Sequence, residues 1–283
     1  GSLIIPDSVK NVGKFSFSFC SGFDGSLKIG NSITFIKECT FLECSGFSGE
    51  LFIGNNVKRI GDEAFKKASK LTGELNIPDS VTSIGESVFY DCYGFTKLKI
   101  SNKLNTISKS AFYNCYGFNC ELIIPESITT IDEYAFYNCS HFYGSLNIPN
   151  SVSTISQHAF HDCFGFTETL KLPNLTKIDS FTFCGCSNFR YRLTIPESVK
   201  YIKNNAFSGC IGFSGSLIIP DSVIEIEDHA FDKCKGFTGS LKIGKKIKSI
   251  KRYTFYGCEN LAGELIIGEN VKTIERDAFL SFS

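Results

Sequence analysis

The stretch Gly73 to Thr96, GELNIPDSVTSIGESVFYDCYGFT, recurs along the chain and decides how the rest is read. Aligned on it, the sequence falls into rows beginning at Gly1, Gly25, Gly49, Gly73, Lys97, Cys120, Gly144, Glu168, Tyr191, Gly215, Gly239 and Gly263, with Leu, Ile, Pro or Gly, Val, Ile, Phe, Cys and Phe in matching columns. A period of this length marks stacked supersecondary units, none of which buries its apolar face without neighbours. The twelve rows consume all 283 residues. The expectation is a single solenoid domain over residues 1–283, mainly β with short helical or 3-10 turns, of twelve rungs repeating about every 24 residues.

Within a row, Leu75-x-Ile77 alternates as a short strand with both apolar residues inward, and Val81-x-x-Ile84 supplies a second extended piece. All seven prolines follow the Leu-x-Ile pair, where Gly30, Gly54, Gly244 and Gly268 replace them; either residue stops a strand and turns the chain. Val88-Phe89-x-x-Cys92-x-x-Phe95, with Phe, Cys and Phe three apart, predicts one helical or 3-10 turn. The stripe Glu38, Asp62, Glu86 just before that turn suits a helix N-terminus better than a converging catalytic pair.

Phe fills one column in every row, from Phe17 to Phe279, and a second column in most, which predicts two stacked ladders in the core. Ten of the 13 Cys, among them Cys92, Cys115 and Cys139, share a third column, filled otherwise by Ala68 and Phe282; these read as small buried hydrophobes, unpaired by disulfides. Asp91, Asn114, Asn138 and Asp162, each next to such a Cys, suggest a polar ladder to turn backbones. Leu3, Ile5, Phe279 and Phe282 sit near open stack ends, which predicts self-association through those ends or a longer parent chain.

Lys and Arg number 29, as do Asp and Glu, so the net charge is zero and no global field draws a nucleic acid. No apolar run reaches the length of a membrane-spanning helix, and no N-terminal signal pattern is present. The chain lacks Met, so an excised or processed segment is the expectation. No phosphate loop, dinucleotide fingerprint or nucleophile elbow occurs, so neither an enzymatic activity nor a cofactor is expected. His158-x-x-His161 lacks a third firm metal ligand. Asn138-Cys139-Ser140 and Asn174-Leu175-Thr176 have the form of glycosylation acceptors, which short triplets reach by chance.

The pattern Leu-x-Ile-Pro-x-Ser-Val-x-x-Ile-x-x-x-Ala-Phe-x-x-Cys-x-x-Phe, carried by rows such as Leu217 to Phe237, resembles the BspA-like leucine-rich repeats, and the resemblance covers the whole chain. It implies a non-catalytic, cell-surface or extracellular adhesion module of a bacterium or parasitic protist, with a host protein, matrix protein or glycan as partner. An intracellular scaffold, also found in that family, and a β-helix polysaccharide-active enzyme are the rival readings.

Two surfaces stand out as candidate binding sites. Tyr90, Tyr93, Tyr113, Tyr116, Tyr134 and Tyr137, followed by Tyr143, occupy columns that Ser, Lys, Asp or Glu fill elsewhere, and so should face solvent. Lys242, Lys245, Lys246, Lys248, Lys251 and Arg252 concentrate positive charge in row eleven, with Lys272 placed to lie beside Lys248, and suit a sulfated glycan.

Overall fold

The computed structural model describes residues 1–281, so Phe282 and its place in the cysteine column lie outside the described residues. The chain forms two compact units, Gly1–Phe142 and Tyr143–Ser283. In the first, the strands Leu3–Ile5, Leu27–Ile29 and Leu51–Phe52 pair in parallel, with Leu3 opposite Leu27 and Leu27 opposite Leu51. Gly73–Asn76 pairs with Phe95–Lys99 across a one-residue irregularity at Gly73/Glu74. A second set, Phe35–Ile36, Arg59–Ile60 and Ser83–Ile84, forms another parallel ladder on the next side of the rungs.

The second unit repeats this scheme. Leu217–Ile218, Leu241–Lys242 and Leu265–Ile266 make one parallel ladder, and Lys177–Ile178, Tyr201–Ile202 and Glu225–Ile226 make another. Apart from Gly73 opposite Phe95 at that irregularity, these strand pairings join equivalent columns of successive rungs, which is the solenoid that the repeat predicts.

Leu75, Ile77, Val81, Phe89 and Phe95 are fully buried, as the alternation requires. Phe17, Phe41, Phe65, Phe89, Phe112 and Phe136 stack nearly parallel with ring centroids 5.3–5.8 Å apart. In the second unit Phe160, Phe183, Phe207, Phe231, Phe255 and Phe279 do the same at 5.3–5.8 Å. Phe95 and Phe118 of the other column meet Phe89 and Phe112 edge to face. Offset and edge-on contacts of this kind add stabilisation beyond area burial, because the ring quadrupoles are complementary.

The Phe-Cys-Phe segment is a turn, with no helix or 3-10 helix in it among the described residues. Its local bonds do span three residues, as in Cys92 N–H to the Phe89 carbonyl at 3.1 Å and Tyr90 N–H to the Ser87 carbonyl at 3.2 Å. Two residues per rung interrupt them, however, by adopting left-handed backbone conformations: Ser87 and Asp91 have φ of 52° and 57°, and the same two columns supply the other positive φ values outside the Gly-rich junctions, from Phe15 and Phe19 onward. At those residues the N–H turns away from its own rung and bonds the next one, as Ser87 N–H does to Lys109 and Asp91 N–H to Tyr113, both at 2.9 Å. A left-handed L-residue costs about 1–2 kcal/mol, which the inter-rung bonds offset.

The acidic stripe answers to the same geometry. With no helix to cap, the Asp62 carboxylate accepts the Glu86 N–H of the following rung at 2.9 Å. Asp7 receives the Asn31 N–H at 2.6 Å and Asn31 receives the Asn55 N–H at 2.9 Å, in a separate column. The Asn ladder joins side chain to side chain: Asn138 Nδ2 donates to Asn114 at 3.1 Å and Asn114 Nδ2 to Asp91 at 2.9 Å.

All thirteen cysteines are free thiols. The column thiols aim at a specific acceptor: Cys92, Cys115 and Cys139 each place Sγ 3.0 Å from the carbonyl of Phe65, Phe89 and Phe112, the ring-bearing residue of the preceding rung. Each of these carbonyls also accepts an N–H of its own rung, so the thiol uses the second lone pair. Burial pushes Cys44 and Cys258 up to about 12 and holds Cys92, Cys186, Cys210 and Cys234 well above the ordinary thiol range. Since the thiolate is the reactive form, these thiols are expected to stay silent toward a chromogenic disulfide reagent at pH 8 in the native protein, and all 13 to react in denaturant. Rapid native modification of Cys92 or Cys210, located by peptide mapping, would contradict this burial.

Near the ends, burial follows the alternation of the strands. Ile5 is buried, Leu3 and Phe279 are half-buried, and the exposed apolar residues are instead Ile4, Phe15 and Phe19 at one end and Leu265, Ile274 and Leu280 at the other. The alternation of strand one explains it: Ile5 faces inward under the Pro column while Ile4 faces out.

Candidate functional site

The tyrosines of the first unit form a surface ladder. Tyr90, Tyr113 and Tyr137 stand one residue after the core Phe column, so each rung displaces the ring by one strand spacing and the rings stack face to face, 4.5 Å and 4.6 Å apart with interplanar angles of 2° and 4°. Tyr134, from the left-handed column before the Phe, tilts against both Tyr113 and Tyr137. Stacking half-buries these four, and burial raises the hydroxyl pKa of Tyr90 and Tyr113. Lys66 Nζ extends the ladder, 5.3 Å from the Tyr90 ring centroid.

A second pair lies further out. Tyr93 and Tyr116, one residue after the column Cys, stack 5.0 Å apart and remain 40% and 37% exposed. The two sets are therefore unequal: four rings are half-buried in the turn column, and two are more exposed. Tyr143, 47% exposed, belongs to the second unit.

The basic residues of row eleven distribute around their rung. Lys242 projects outward from the strand Leu241–Lys242, Lys245 and Lys246 occupy the turn after Gly244, and Lys248 precedes the strand Ser249–Ile250; all four are exposed. Lys272 lies beside Lys248, donating its backbone N–H to the Lys248 carbonyl at 2.9 Å. Acidic neighbours moderate the charge, because Asp221 accepts the Lys245 N–H at 3.0 Å and Glu275 pairs with Lys251 at 3.4 Å. Arg252 lies over the Tyr253 ring at 5.7 Å. Lys242, Lys245, Lys246 and Lys248 thus keep exposed ammonium groups, while Lys251 and Arg252 are engaged within the rung.

His158 and His161 stack on each other and on Phe181, with their Nδ1 atoms 2.9 Å apart, and burial lowers the His161 pKa. Among the described residues no three His, Cys, Asp or Glu side chains converge as metal ligands. Asn138 is tied into its ladder, while Asn174 lies exposed in the turn after Pro173. No helix among the described residues is long and apolar enough to cross a membrane.

Sequence reasoning named the Tyr and Lys columns and missed one surface: the outward faces of the first strands in rungs one to four, where Phe52 is 48% and Ile4 64% exposed over a cavity of about 600 Å³. Its signal was present in Gly30 and Gly54, which replace Pro in two successive rungs.

A family model described as a BspA-type leucine-rich repeat region of six copies matches residues 1–119, 59–190, 119–211 and 176–283. No curated protein matches the sequence. Among solved structures, a leucine-rich repeat protein from Bacteroides ovatus is 22% identical with a TM-score of 0.56, over 97% of this chain and 84% of that one. The pneumococcal vaccine antigen PcpA is 22% identical with a TM-score of 0.51, over 88% of this chain and 67% of that one.

Proposed function

Because the chain belongs to the BspA-type leucine-rich repeat family over its whole length, we propose that it is a non-catalytic adhesion module at a cell surface, binding a host protein, matrix protein or glycan through the exposed columns of its rungs. The observation that carries this reading is the exposed, parallel Tyr93–Tyr116 pair, on the same rungs as the Tyr90–Tyr113–Tyr137 stack. Pre-stacked tyrosines offer large amphipathic contact area at small entropic cost, which is why such rings concentrate in interfaces. The rigid ladder is a physical reason for them to do so here: the rings are ordered before a partner arrives, and less ordering entropy is lost on binding.

Tyr93→Ala combined with Tyr116→Ala is expected to weaken attachment to host cells or matrix about tenfold or more while changing stability by less than about 1 kcal/mol. Unchanged attachment by an intact fold sinks the tyrosine site. Surface labelling of unpermeabilised cells separates the adhesion reading from an intracellular scaffold.

The exposed lysines of row eleven make a second contact in this reading, for sulfates. On a heparin column the protein is expected to need more salt for elution than Lys245→Glu/Lys246→Glu/Lys248→Glu, because local charge density attracts sulfates in a chain of zero net charge. Equal elution salt for the two proteins removes this contact.

A further inference from the structure

Rungs one to four carry a groove unlike the rest of their surface, and its origin is steric. In most rungs a Pro ring follows the first strand, but rungs two and three have Gly30 and Gly54 there. Neither position admits a side chain: a Cβ on Gly30 would lie 2.7 Å from the Ile5 carbonyl oxygen, and one on Gly54 2.5 Å from that of Gly30. The strands therefore approach closely at this edge, and the missing rings leave a bare backbone floor along a cavity of about 600 Å³. That volume is within the range of small-ligand sites.

The walls are polar and of mixed sign, with one aromatic platform. Phe52 projects from strand Leu51–Phe52 with half its ring in solvent, and Lys28 and Asn76 occupy the same outward column in the rungs on either side. Along one rim runs the ladder Asp7, Asn31, Asn55, in which each backbone N–H is taken by the side-chain oxygen of the rung before. That bonding fixes the side-chain planes and leaves the Asn31 Nδ2 group as an oriented donor. Along the other rim Glu50 and Glu74 are exposed carboxylates in successive rungs.

The geometry points to a site for an uncharged oligosaccharide. A pyranose has an apolar C–H face and a rim of hydroxyls that both donate and accept. The exposed face of Phe52 suits the first, and the fixed amides, carboxylates and Lys28 ammonium suit the second. Charge decides among sugars: Asp7, Glu50 and Glu74 outnumber Lys28, so uronates and sulfates are repelled. The ladder of Asp7, Asn31 and Asn55 places one such polar side chain on each of three successive rungs, which favours an extended chain of hexoses lying along the stacking direction. This assignment rests on the reading of the chain as a binding module and gives that reading a ligand class in the first unit.

The test is saturation-transfer NMR and calorimetry with cellobiose, lactose, maltose and chitobiose at millimolar concentration, and a sulfated heparin disaccharide as the charged probe. At least one neutral disaccharide is expected to bind, with transfer strongest to its C–H face protons. Phe52→Ala, a substitution at an exposed ring, should weaken that binding about tenfold with circular dichroism unchanged, and Phe164→Ala, at an exposed ring of the second unit, should leave it intact. Binding of none of the four, or equal binding by Phe52→Ala, overturns the site. If the groove fails while host-cell attachment persists, the adhesion reading stands without it; loss of attachment alone leaves the groove standing.

Discussion

Raising the pH above about 9 is expected to unfold this protein steeply, as measured by circular dichroism between pH 7 and 11. Cys44, Cys92, Cys115, Cys186, Cys210, Cys234 and Cys258 are buried, and their pKa values are raised by desolvation. In the unfolded chain a thiol ionises near 8.5. Above that pH the unfolded state binds fewer protons than the native state, so stability falls as pH rises. The contribution is fully present below the unfolded value and is lost as pH climbs toward the folded ones. Each thiol gives a slope of about 1.4 kcal/mol per pH unit, so the seven together reach on the order of 10 kcal/mol per unit, which exceeds the sensitivity expected of any surface ion pair. Replacing Cys186, Cys210, Cys234 and Cys258 with Ala, the residue nature uses at Ala68, should flatten the alkaline limb. A protein still folded at pH 11, or an unaltered slope in the Ala variant, contradicts the account.

Phe112→Ala should cost about 3–5 kcal/mol in urea unfolding, the largest effect of a single substitution foreseen here. The ring is fully buried, stacks on Phe89 at 5.8 Å and Phe136 at 5.3 Å, and meets the edge of Phe118 at 6.2 Å. Removing it opens a cavity between two rings that the paired backbones above and below hold apart, so little collapse can recover the loss. Phe52→Ala, on the outward face, should change stability by less than about 0.5 kcal/mol. A loss below about 1 kcal/mol for Phe112→Ala would mean that the stacked column is not the core of the rung.

Most of the architecture was legible because a buried column must repeat chemically: every rung needs a ring where Phe89, Phe112 and Phe136 lie, and alternation at Leu75-x-Ile77 states which side is in. The turn was misread because spacing of three is shared by a helix and by a folded turn with left-handed breaks. One of those two break columns does carry a signal in Asp91, Asn114, Asn138, Gly185 and Gly209, types that tolerate positive φ. The other, with Phe15, Glu63, Tyr134 and Phe181, does not, because there tertiary bonding overrides local preference. The Tyr and Lys surfaces were visible as departures from column composition. The groove was only partly so, since Gly30 and Gly54 mark the absent rings but the neighbours of the sheet face come from the register alone.

These inter-rung bonds join equivalent columns 24 residues apart: Asp7 to Asn31 to Asn55, and Lys67 to Glu43. A gene encoding such a chain can gain or lose a whole rung by unequal recombination and still match every column across the new junction. A single-codon deletion has no such freedom and must be absorbed inside one rung. The row from Glu168 shows where: Leu175 N–H bonds the Pro173 carbonyl two residues back, at 2.8 Å, where Val152 reaches three back to Pro149. Length polymorphism in steps of one repeat, with one-residue contractions absorbed at this turn or at the row junction where Gly73 pairs with Phe95 and Glu74 with Lys97, is thus the variation that the bonding pattern permits in descendants of the same gene.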